Sequence, residues 1–151
     1  MDMHIYMLDM TVGGIKNLAK DIKIDFYKKQ VNRNFNKDDY KVKAIYGDNG
    51  AGKTAVITAV SIAKNIVLNQ HYLDQKSTQN LLHELINKQT KRFHFNVEYL
   101  IDDQDGKIII SYEVSLQENE NGIFEITGEN GRYKNGNSSS NKYKTLFNVE
   151  S

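Results

Sequence analysis

Gly47-Asp48-Asn49-Gly50-Ala51-Gly52-Lys53-Thr54 satisfies G-x-x-x-x-G-K-[ST] at every fixed position, and what lies on either side of it decides the expected fold. A triphosphate needs several hydrogen-bond donors converging on it. Backbone N–H groups converge where side chains stay out of the way, which glycines at 47, 50 and 52 allow. A helix that follows such a loop adds its unpaired N-terminal N–H groups and the positive end of its dipole. Lys53 is placed to reach the β- and γ-phosphates, and the Thr54 hydroxyl to take one position on Mg²⁺.

The flanking sequence supplies that context. Residues 40–46 carry Val42, Ala44 and Ile45 and read as a short strand leading into the loop, with Lys43 an awkward member of a central one. From residue 55 the periodicity becomes helical. Ala55, Val56, Ala59, Val60, Ile62, Ala63, Ile66 and Val67 share one broad face over residues 55–68, with Thr58, Ser61, Lys64 and Asn65 opposite. The four fixed motif positions arise by accident in about one chain in two hundred of this length. The competing account is a glycine-rich turn beside a surface lysine.

Working outward, the 151 residues suffice for one domain with a core, and 39% hydrophobic with 26% charged residues is ordinary for a soluble chain. A net charge of +1 gives no whole-chain attraction to nucleic acid or membrane. The chain has no cysteine, hence neither a disulfide framework nor a thiolate metal site, and no run approaches the roughly 20 apolar residues of a membrane span. The early Asp2, His4 and Asp9 do not suit a secretory signal, and a cytoplasmic location is expected. Proline is absent too, and the sequence offers no functional reason for it.

Residues 3–12 read as a first strand, and residues 21–27 as a second that alternates Ile22, Ile24 and Phe26, with Gly13-Gly14 and Asn17 breaking the chain between them. The polar stretch 28–39 reads as a surface loop. Ser77 is a candidate cap for a second helix running to about residue 89, with Leu81, Leu82, Leu85 and Ile86 on its buried side. The period then changes to two. Phe93, Phe95, Val97, Tyr99 and Ile101 alternate with polar residues, Asp105-Gly106 turns the chain, and residues 107–117 return; Asn121-Gly122 and Asn130-Gly131 mark further turns.

Other constellations are weaker. Residues 99–103 end in Asp102-Asp103 like the apolar strand that holds Mg²⁺ in phosphate-loop enzymes, but they alternate where such a strand is apolar throughout, and they run into a turn. A Ca²⁺ loop over residues 101–112 fails at both ends, with Ile101 and Tyr112 in ligand positions. His4, His71, His83 and His94 show no zinc spacing, and no nucleophile elbow is present.

The segment Gly47 to Thr54, followed by Ala59-Val60, resembles the G-x-N-G-x-G-K-[ST]-x-x-x-x-A-[IV] form found in ABC-type ATPase heads of the structural-maintenance-of-chromosomes, RecF and OLD-nuclease class. Ile15-Lys16-Asn17 between the first two strands fits the opening of those heads, and the antiparallel section after the first helix resembles that of related stand-alone bacterial ATPases. The resemblance is specific over about residues 40–63. It implies ATP and Mg²⁺ as cofactors and a nucleotide site made of Gly47, Asp48, Asn49, Gly50, Ala51, Gly52, Lys53, Thr54 and Ala55. In it Lys53 is the catalytic cation, Thr54 the Mg²⁺ ligand, and Asn49 approaches the γ-phosphate. It further implies a homodimer of heads coupled to DNA or an effector nuclease, with no membrane partner. The family's Mg²⁺-positioning strand, catalytic glutamate, L-S-G-G signature and switch histidine find no acceptable match, so the chain is expected to be the N-terminal part of a longer ATPase, weak or inactive alone.

The expected fold class is therefore α/β, an ABC-like phosphate-loop lobe with a mixed sheet around the loop helix and a more peripheral antiparallel meander. Its expected divisions are a loop core over 1–70, a helical connection over 71–91, antiparallel strands over 92–134, a flexible loop over 135–144, and the start of a further segment at 145–151. The alternatives are a complete small phosphate-loop nucleotide kinase or switch protein, and an interaction module with an idle loop.

Overall fold

The computed structural model describes residues 3–27, 31, 36, 44–46, 52–104, 106–137 and 142–150. Among these residues six strands and two helices are formed: β1 (His4–Gly13), β2 (Ile22–Asp25), α1 (Lys53–Leu68), α2 (Lys76–Leu85), β3 (Arg92–Asp103), β4 (Gly106–Glu118), β5 (Phe124–Asn135) and β6 (Lys144–Glu150). The strands make one sheet in the order β2-β1-β3-β4-β5-β6, and every pairing is antiparallel.

The mixed sheet expected from the sequence is thus overturned. Among the described residues no parallel strand leads into the phosphate loop: residues 44–46 are exposed and outside any strand, and residues 40–43 lie outside the described residues. Both flanks of β1 are already taken, by β2 on one side and β3 on the other. The meander is not peripheral either, since β3 and β4 are the central pair of the sheet. Strands of 12 and 13 residues joined by a tight turn offer each other a nearly complete ladder at once, whereas a parallel strand needs a crossover to reach its partner. The Asp103 carboxylate accepts the Gly106 N–H at 3.0 Å at that turn.

One face of the sheet is apolar and carries the helices. Met10 and Val12 of β1, Phe93, Phe95 and Val97 of β3, Val114 and Leu116 of β4 and Phe124 of β5 form a core with Ala55, Val56, Ala59, Ile62 and Ala63 of α1 and Leu82 of α2. The helical face read from the sequence matches this except at its end, where Val67 is exposed. The helix also begins at Lys53, two residues before its apolar periodicity.

The second helix is shorter than expected. It starts after Gln75, with no side-chain cap from Ser77 or any other residue, and stops at Leu85 because Ile86 bridges to Ile15. Gln79 pins it to β5: its side-chain amide donates to the Phe124 carbonyl at 3.0 Å, and its oxygen accepts the Phe124 N–H at 2.8 Å.

The other face is mostly polar. The register of β1 against β3 shifts between Met7 and Asp9, and Leu8 joins a small second cluster with Val31, Leu100 and Ile109. A one-residue shift sends side chains to the opposite face, which is how β1 serves both clusters.

Candidate phosphate site at the start of the first helix

Of the expected nucleotide site, Gly47, Asp48, Asn49, Gly50 and Ala51 lie outside the described residues. The remaining four occupy the start of α1. Gly52 is the N-cap residue and adopts a left-handed conformation with φ 92°. A Cβ there would sit 2.9 Å from a Leu18 methyl, so both backbone angle and space select glycine. The Gly52 carbonyl accepts the Val56 N–H at 3.2 Å, closing the first helical turn.

Lys53 is half-buried as the first helical residue, Thr54 is exposed, and Ala55 is buried in the core, so only the Ala55 backbone is available to a ligand. The first turn has no side-chain cap and no acidic residue. Among the described residues no side chain caps the first-turn N–H groups, which suits an anion, and an exposed Thr54 hydroxyl suits an Mg²⁺ ligand, while Asp25 sets a like charge in the adjoining cleft; at the helix start itself the residues present fit Mg-polyphosphate. Beside them lies a cleft of about 440 Å³, bounded by Ile22, Lys23, Ile24 and Asp25 of β2, residues 44–46, and Gly52, Lys53 and Val56. That volume falls within the range of small-ligand pockets.

The polar face of the sheet holds a second constellation that no sequence motif marks. His94 places Nδ1 2.7 Å from Asp21 Oδ2 and Nε2 3.1 Å from Glu113 Oε1. Arg92 pairs with Asp21 at 3.1 Å, and Arg132 with Glu113 at 3.6 Å. Asp21 and Glu113 thus each hold His94 together with an arginine, and the cluster ties β3, β4 and β5 to the residue that precedes β2. Among the described residues no group of histidine and acidic side chains could hold a metal ion. Asp21 and His94 are 73 residues apart, and the pairing of β1 with β2 on one side and β3 on the other brings them together.

Farther along this face, Lys23 pairs with Asp9 at 3.1 Å. Burial raises the Asp9 carboxyl above its ordinary value and outweighs the Lys23 hydrogen bond, while that same bond raises the Lys23 ammonium. Burial also raises the phenols of Tyr72, Tyr99, Tyr112 and Tyr143. Tyr112 and Tyr143 move furthest, since each also donates to a carboxylate, Glu129 and Glu98 respectively.

These shifts fix the behaviour of the chain in alkali. In all four tyrosines and in Lys23 the folded chain keeps a proton that the unfolded chain releases near the ordinary values of 10.0 and 10.5. The unfolded state then binds fewer protons, so stability falls as pH rises. The contribution is complete below the ordinary values and lost as pH climbs through the raised ones. Urea midpoints measured at about pH 9 and about pH 11 are expected to drop at the higher pH, and Tyr112→Phe to lessen the drop. Equal midpoints would contradict this.

Comparison with protein-family models and with curated proteins gives no match for this chain. No helix among the described residues is long and apolar enough to cross a membrane.

Proposed function

We propose that the chain binds Mg-ATP through residues 47–54, as the nucleotide-binding part of an ATPase similar to the ABC-type heads. The observation that carries this is the junction of motif and helix: the last glycine of G-x-N-G-x-G-K-T is the left-handed Gly52, and the motif's Lys53 is the first residue of α1. Nucleotide binding is inferred from the loop and the helix start alone and borrows nothing from the sheet, which lacks a parallel strand among the described residues.

In this proposal the backbone N–H groups of the loop and of the first helical turn surround the β-phosphate. Lys53 offsets charge on the β- and γ-phosphates, and Thr54 ligates Mg²⁺. Mg²⁺, when bound, would supply charge neutralisation to the polyphosphate. ATP hydrolysis, pairing of two heads across the nucleotide, and coupling to DNA or a nuclease belong to the same proposal through the family resemblance.

Binding to the folded state alone stabilises it by mass action. Mg-ATP at about a hundred times its Kd is expected to add about 2.7 kcal/mol to the free energy of unfolding. The check is thermal unfolding with Mg-ATP, Mg-GTP or Mg²⁺ alone: a midpoint raised by a nucleoside triphosphate but not by Mg²⁺ supports the assignment. An unchanged midpoint at millimolar nucleotide speaks against it.

A further inference from the structure

We propose that the turn over residues 14–18 is a buttress for the start of α1, and that Leu18 is the residue that positions Gly52 and the first turn of that helix. This rests on the nucleotide-binding assignment above and adds a positioning element to it. The whole end of the Leu18 side chain lies against Gly52: its Cδ2, Cγ and Cδ1 would stand 2.9, 3.1 and 3.3 Å from a Cβ at that glycine. Gly52 is the joint between loop and helix, so whatever holds Leu18 also fixes the direction in which the first-turn N–H groups point.

Leu18 is held by the hydrogen bonds of its turn. Gly14 N–H donates to the Leu18 carbonyl at 2.7 Å, and Leu18 N–H to the Ile15 carbonyl at 2.8 Å. The turn is then fastened to the connection between α2 and β3. Lys16 N–H donates to the Leu85 carbonyl at 2.8 Å, Asn87 N–H to the Gly14 carbonyl at 2.8 Å, and the Asn87 side-chain amide to the Lys16 carbonyl at 2.6 Å. The Asn87 side-chain oxygen accepts the N–H groups of Gln89 and Thr90, both at 3.0 Å, so both ends of its amide are engaged.

Backbone strain gathers at the same place. Among the described residues the non-glycine positions with positive φ are Lys16, at 49°, and Lys91, at 50°. Lys16 lies in the turn, and Lys91 donates its N–H to the Asn87 carbonyl at 2.8 Å. Conformations of this kind persist where the surroundings over-determine them. Here the strained knot terminates on Leu18 and, through it, on Gly52. An anion site whose donors are aimed before the ligand arrives binds more tightly than one that must be ordered on binding.

The test compares Leu18→Ala, the conservative Leu18→Met, and Ile126→Ala, which thins the same core from β5 and lies outside the knot. Each is studied where circular dichroism shows it folded, by amide exchange and by titration with Mg-ATP and with Mg-tripolyphosphate. Leu18→Ala is expected to speed exchange of the Val56 amide by about tenfold relative to that of Ala63, and to weaken both ligands by about tenfold. Leu18→Met restores both, and Ile126→Ala leaves both unchanged despite a lower unfolding midpoint. Unaltered Val56 protection in Leu18→Ala, or equal losses in Ile126→Ala, would overturn the buttress. If the unaltered chain binds neither ligand, the nucleotide assignment falls, and the Val56 amide alone decides whether Leu18 holds Gly52.

Discussion

Gly14→Ala is expected to lower stability by more than about 4 kcal/mol, a loss reached by few single substitutions and close to the whole stability of many domains. A Cβ at Gly14 would stand 1.6 Å from the Arg92 carbonyl oxygen and 2.6 Å from its carbon, and the residue sits at φ 72°. Neither obstacle is the end of a flexible side chain. Arg92 opens β3, and the next residue, Phe93, is wholly buried, so the sheet cannot yield without opening the core. Gly128→Ala is the matched control: nothing lies within 4 Å of a Cβ there, and a change within about 1 kcal/mol is expected. Urea denaturation of the two variants checks this, and a loss below about 1 kcal/mol at Gly14 would show that the turn is not pressed against β3 as described.

Phe93→Ala is expected to cost about 3–5 kcal/mol. Phe93 is among the largest side chains with no exposure, it stands opposite Leu116 in the β3–β4 ladder, and it shares a core with Ile15, Leu82 and Ile86. That core joins three pieces of chain that no local signal connects: the first turn, the second helix and the central strand. Removing the ring leaves a cavity that strands fixed on both sides fill poorly, so the cost includes lost dispersion as well as lost burial. Phe93→Leu keeps most of the volume and is expected to cost less than half as much. A loss under about 1.5 kcal/mol for Phe93→Ala in equilibrium unfolding would mean that the core collapses around the gap.

The strands β1 to β4 were legible because their alternation is local, whereas Asn130-Gly131, read as a turn, lies inside β5 opposite Glu113 and Tyr112. Phe93, Phe95 and Val97 against His94, Asn96 and Glu98 can be read without knowing the partner strand, and so can the helical face of Ala55, Val56, Ala59, Ile62 and Ala63. What paired with what was not legible. The ladder between β1 and β3 joins residues far apart in the chain, such as Ile5 and Ile101, and period-two strands specify a face but not a neighbour. The expectation of a mixed sheet came from the phosphate-loop motif, whose usual surroundings include a parallel strand, and residues 44–46 do not form one.

At the candidate site, Gly52 and Lys53 were singled out by the spacing of the motif, and the start of α1 falls on them. Leu18 and Asn87 were not. A leucine after Ile15-Lys16-Asn17 looks like any apolar turn residue, and Asn87 looks like one more asparagine in a chain rich in them. Their roles depend on contacts with Gly52 and with the Lys16 carbonyl that only the folded chain creates.

The central claim is nucleotide binding by the stretch that ends in Lys53, and titration calorimetry with Mg-ATP on the unaltered chain and on Lys53→Ala tests it most directly. Loss of a charge-assisted contact to phosphate predicts saturable binding by the unaltered chain, weakened roughly ten- to hundredfold by Lys53→Ala. A folded chain that shows no saturable binding, or a Lys53→Ala variant that binds equally well, would contradict the account.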